Sequence, residues 1–148
     1  MYSDDHVIYG TGFAFSIWLI FPQIGTLGFV VTLLSTFLID VDHYFYYIFH
    51  NRDLNPINAC VWFDKKVKDY LATPVSERPA KEQGVFIFHS LEFLSVIFIL
   101  GFFVPYVHFV LIGFVFHVIL DMCFEIYHKV NFKRKLFFCW YFLEELRK

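Results

Sequence analysis

The chain of 148 residues is 58% hydrophobic and 23% aromatic, with only 18% charged residues and a mean hydropathy of +0.56. A soluble domain of this size covers itself with about a quarter of its residues charged, so lipid is the expected solvent. A formal net charge of -2 provides no global basic field for nucleic acid, and three cysteines without CxxC spacing (Cys60, Cys123, Cys139) are neither a disulfide framework nor a zinc ribbon.

The N-terminal stretch MYSDDH carries acids where a secretory signal places Lys or Arg, so the first apolar run is expected to be retained. From Val7 to Ile39 only Tyr9 is ionisable, and Phe21-Pro22-Gln23-Ile24-Gly25 has the punctuation of a tight turn. This predicts a helical hairpin, with helices near 7–21 and 25–50. The first is roughly 22 Å long at ~1.5 Å per residue, short for a ~30 Å hydrocarbon core. A polar stretch from Asn51 to Gln83 follows, then a second hairpin with helices near 84–104 and 106–127 turning at Pro105. Segments near 57–71 and 132–146 mix Trp, Phe and Leu with Lys. They read either as interfacial helices or as polar loops with snorkelling aromatics.

All 12 basic residues fall in two places. Arg52, Lys65, Lys66, Lys68, Arg78 and Lys81 are in the middle loop, and Lys129, Lys133, Arg134, Lys135, Arg147 and Lys148 are in the tail. The hairpin turns carry none, and the positive-inside rule then puts the N-terminus, middle loop and tail in the cytoplasm. The expected fold is all-α: one integral membrane four-helix bundle over residues 1–148, in the inner or plasma membrane.

Ionisable residues within or beside these apolar helices are costly unless they pair, face a cavity or bind metal. His6 precedes the first helix; Asp40, Asp42 and His43 lie late in the second; His89 and Glu92 lie in the first half of the third. His117, Asp121 and Glu125 succeed one another at i,i+4 in the fourth. The topology brings all these ends to one side, leaving His108 near the opposite turn. Imidazole and carboxylate groups on facing helices build metal sites in bundle cores, and zinc accepts both donors.

Four motifs in chain order carry a family resemblance. His6-Val7-Ile8-Tyr9-Gly10, Asp40-Val41-Asp42-His43, Phe88-His89-Ser90 and His117-Val118-Ile119-Leu120-Asp121 together resemble the signatures of the membrane-bound metal-dependent hydrolases, small inner-membrane proteins. Ile39 stands where the family has Pro, and Gly84-Val85-Phe86-Ile87-Phe88 where it has a His-Arg pair. Arg78 or Lys81 is left as the stand-in for any anion clamp. The ligand style is also similar, more loosely, to zinc-dependent phospholipases C and single-strand nucleases.

The resemblance and the residues together imply hydrolysis of a phosphoester in a lipid or lipid-linked substrate. The expected ligands are His6, Asp40, His43, His89, His117 and Asp121, holding one or two divalent ions, zinc first and manganese or iron as alternatives. Asp42 or Glu92 is expected to accept the proton of the attacking water. The competing classes are a non-enzymatic divalent-metal transporter or metal-binding membrane protein, and haem binding by paired histidines. The bilayer and its phospholipids are the expected partners, and nucleic acid is not.

Overall fold

Prolines, glycines and polar caps divide the chain into helices, and every regular element among the described residues is helical. The computed structural model describes residues 2–78 and 86–130, with Phe137 and Cys139. Its elements are α1 (Ser3–Ile20), α2 (Gly25–Leu38), α3 (Val41–Asn51), α4 (Pro56–Ala72), α5 (Leu91–Gly101) and α6 (Val107–Tyr127). The interfacial segment expected near 132–146 lies outside the described residues, apart from those two.

The first hairpin turns where expected. Pro22–Ile24 form a single 3-10 turn, and Gly25 follows at φ 65°, a conformation in which a side chain would be strained. The helix expected over 25–50 is interrupted. Asp40 has φ -78° and ψ 3°, its N–H bonds the Phe37 carbonyl (3.1 Å) in a tightened turn, and α3 then restarts at Val41. This break sets the Asp40 carboxylate at a helix junction.

The segment 57–71 is a helix, α4, extending over Pro56–Ala72. Arg52, at φ 55°, closes α3 in the left-handed conformation. Asp53 then accepts from the Tyr47 hydroxyl, the Asn58 side chain and the Asn55 N–H, which hold its carboxyl below the ordinary range. Asn55 in turn caps α4 through Ile57 N–H (2.9 Å), with Pro56 at the first helical position.

The third expected helix is shorter than its apolar run. Residues 86–89 are non-helical, and Ser90 is the N-cap, accepting from Phe93 N–H at 3.2 Å while its hydroxyl donates to the Ile87 carbonyl. His89 therefore precedes the helix instead of lying in its first half. His6 is the opposite case: it falls inside the first turn of α1, not ahead of it.

Helix α2 packs most extensively against α6 and α1, α5 packs on α6, and α4 lies against α3 and α1. Two glycines allow the closest approaches. A Cβ on Gly113 would meet the Thr32 carbonyl and Ser35 Cβ at 2.7 Å, and one on Gly10 would meet Thr36 Oγ1 at 2.5 Å. The interior so formed is unusually polar, with Thr32, Ser35, Thr36, His89, Ser90, His117 and Asp121 all buried. Leu, Ile, Val and Phe side chains meanwhile populate the exposed surface, as at Ile8, Leu19, Leu34, Phe98 and Ile119.

Two helices are long and apolar enough to cross a membrane, the stretch Pro22–Asn51 and Val107–Tyr127, each with only 28% of its most apolar window buried within the protein. Of the four expected spans, α1 spends its first turn on Asp4, Asp5 and His6. The 11 residues of α5 reach about 16 Å, half a hydrocarbon core.

Candidate metal centre

The break after α2, the start of α1, the non-helical residues before α5 and the middle of α6 converge on one point. Asp40 Oδ1, His89 Nε2 and His117 Nε2 stand 3.4 Å from one another on all three sides. Asp121 Oδ2 is the fourth donor, 3.8 Å from His89 Nε2 and 3.7 Å from His117 Nε2. A triangle with sides of 3.4 Å has its centre about 2.0 Å from each corner, the length of a zinc bond to imidazole nitrogen or carboxylate oxygen. The donors fit a divalent ion.

Groups behind the donors fix which atoms face inward. His117 Nδ1 donates to the Thr36 carbonyl at 2.8 Å, leaving Nε2 as the nitrogen that faces the other donors. His89 Nδ1 turns to Asp42 Oδ2 at 3.4 Å, which also accepts from Phe88 N–H at 3.0 Å. Two imidazole nitrogens and two carboxylates thus aim at one buried point. Partners that orient ligands from behind in this way are the usual second layer of a metal site.

His6 and His43 flank the four donors. His6 Nε2 lies 3.3 Å from Asp121 Oδ1, and its ring stacks on that of His117 with centroids 4.1 Å apart. Its Nδ1 is buried without a hydrogen-bond partner, an unmet polar demand inside the cluster. His43 Nδ1 bonds Asp42 Oδ1 at 2.9 Å and lies 3.4 Å from Asp40 Oδ1, while its ring stacks on Phe86. Three overlapping donor triplets result: His6, Asp40 and His117; Asp40, His43 and His89; His89, His117 and Asp121.

Seven of the eight expected site residues are therefore brought together. Glu92 joins neither the donor set nor the adjoining cavity wall; it lies in the first turn of α5, where Oε1 accepts from Cys139 N–H at 3.1 Å. His108 sits at the far end of the bundle, its ring against Gly101. Arg78 is not an anion clamp. Its guanidinium is spent on the carbonyls of Leu71, Thr73 and His128 and over the Tyr70 ring, tying the loop after α4 to the end of α6. Lys81 lies outside the described residues.

No family model, curated protein or solved structure matches the chain. The four motifs are thus read from their own geometry.

A cavity of about 830 Å³ adjoins the donors. His6, Asp40, His43 and Asp121 line its polar end, and Phe63, Phe86 and Phe124 are among its apolar walls. Helix α4 forms one side of it and is held in place by Asp64, whose Oδ1 accepts from both Ser3 N–H (2.9 Å) and Ser3 Oγ (3.0 Å) at the start of α1. The Thr36 carbonyl and this α4 wall are the parts that motif spacing does not reveal.

Proposed function

We propose that this protein is a membrane-embedded metal-dependent hydrolase acting on a phosphoester of a lipid or lipid-linked substrate. The observation that carries the reading is the 3.4 Å triangle of Asp40, His89 and His117, completed by Asp121 and open to a largely apolar cavity. The four ordered motifs that resemble the membrane-bound metal-dependent hydrolases support it. A polar interior beneath an apolar exterior supports the bilayer as solvent. The placement of all basic residues in the middle loop and tail supports a cytoplasmic N-terminus, loop and C-terminus.

Asp40, His89, His117 and Asp121 hold one divalent ion, with zinc favoured by the mixed nitrogen and oxygen donors and manganese or iron accepting the same set. A divalent ion in such a site polarises a phosphoryl oxygen and lowers the pKa of water toward ~7. His43 lines the cavity with Asp42 bonded to its Nδ1, a base and orienting carboxylate able to take a proton from water. Asp42 thereby acts through His43 and His89.

The test is hydrolysis of phosphatidylglycerol in mixed vesicles and of bis-p-nitrophenyl phosphate in detergent. The expected result is turnover that a chelator abolishes and added zinc restores, and that His89→Ala lacks. Zinc-loaded wild-type protein inert on both probes contradicts the reading. Zinc uptake into liposomes that depends on His117, without hydrolysis, replaces it with transport.

A further inference from the structure

Arg78 is spent on backbone carbonyls and Lys81 lies outside the described residues, yet the cavity has a cation of its own. Lys66, on α4, is the one Lys or Arg lining it among the described residues, and it is half-buried while its neighbours Lys65 and Lys68 are exposed. Its ammonium lies 4.1 Å over the Trp62 ring and 5.7 Å from the centre of Tyr46. Tyr46 meets Phe86 edge-on, and Phe86 stacks on His43, so an unbroken aromatic wall joins Lys66 to the donor cluster.

We infer that this cavity takes a membrane lipid with a phosphate-class anionic head, and that Lys66 contacts and positions that head. The inference rests on the hydrolase reading for what happens to the lipid, but not for its binding. Charge supplies the recognition. Lys66 is the positive side chain that the described wall offers an anion, beside whatever ion the donors hold. Lys66 and an ion held by the donors would each attract a phosphate within the one cavity. Phe37, Phe63, Phe124, Val67 and Leu71 then offer apolar surface to the chain that follows the head. An ammonium held over aromatic rings is partly desolvated and pre-placed, which lowers the ordering cost of binding. Lys66 is a positioning residue, since it lines the same cavity as His6, Asp40, His43 and Asp121 and contributes no ligand to the ion.

Binding of non-hydrolysable probes separates this inference from the hydrolase reading. Dodecylphosphonate carries head and chain, methylphosphonate the head alone and dodecanol the chain alone. Equilibrium binding is measured on full-length protein in neutral detergent, with zinc and after chelation, and zinc content is assayed in every variant. Wild-type protein is expected to bind dodecylphosphonate tightest. Lys66→Met is expected to weaken that probe about tenfold or more, as loss of a charge-assisted contact does. Its affinity for dodecanol and its zinc content stay unchanged, and Lys66→Arg recovers most of the loss. Lys66→Met binding dodecylphosphonate as wild type does, or methylphosphonate binding as tightly as dodecylphosphonate, overturns the inference. The Lys66 effect is also read in chelated protein, so it stands or falls whether or not the phosphonates are analogues of a cleaved substrate.

Discussion

His117 shows how far the site depends on groups behind the donors. Its spacing from Asp121 puts both on one face of α6, which the sequence makes plain, but the atom it presents is decided by the Thr36 backbone carbonyl, which no side-chain pattern reveals. Asp42 is similar: two residues from Asp40, it points to a different face and bonds both His43 and His89. Asp42→Ala is accordingly expected to weaken zinc affinity by roughly 10–100-fold without unfolding the helices. Competition against a chromophoric chelator measures this, and an unchanged affinity would make Asp42 a bystander. Seven of the eight expected residues cluster, and the sequence shows why they stand out, because buried imidazoles and carboxylates are costly in apolar helices. Glu92 stands apart from the donor triplets. The i,i+3 spacing from His89 means a shared face only if both residues are helical, and Ser90 starts the helix between them.

Helix boundaries were legible where they are written in local chemistry. Pro22 and Gly25 mark the first turn, and Asn55 with Pro56 marks the start of α4. The interruption at Ile39-Asp40 has neither Pro nor Gly, and the apolar run through it reads as one helix. The start of α5 was hidden in the same way, because Ser90 in an apolar run is ambiguous between a cap and a packing hydroxyl. Close packing of α2 on α6 holds Thr36 against His117, and it depends on Gly113, where backbone stands on the other side. Gly113→Val is predicted to cost about 1–3 kcal/mol through overpacking and to lower zinc occupancy with it. Thermal unfolding in detergent beside zinc content checks both. A destabilised variant that retained full zinc would uncouple the helix contact from the site.

At the scale of the whole molecule two helices are long and apolar enough to cross a membrane, and the proposed topology places every Lys and Arg on one face of it. In a Cys123→Ser/Cys139→Ser background, Cys60 on α4 is expected to react with an impermeant maleimide only from the cytoplasmic face. With Cys60 also replaced, a cysteine placed at Gln23 in the first turn is expected to react only from the opposite one. Labelling of both from one side would contradict the topology. The proposed chemistry requires the donor cluster to be a metal site, and elemental analysis of detergent-purified protein decides that. Wild type is predicted to carry about one equivalent of zinc, manganese or iron, in keeping with the mixed donor set, and the Asp40→Ala/His117→Ala double variant none. Absence of metal from wild-type protein even after incubation with each divalent ion would contradict the account, leaving the cluster a polar network that ties the helices together.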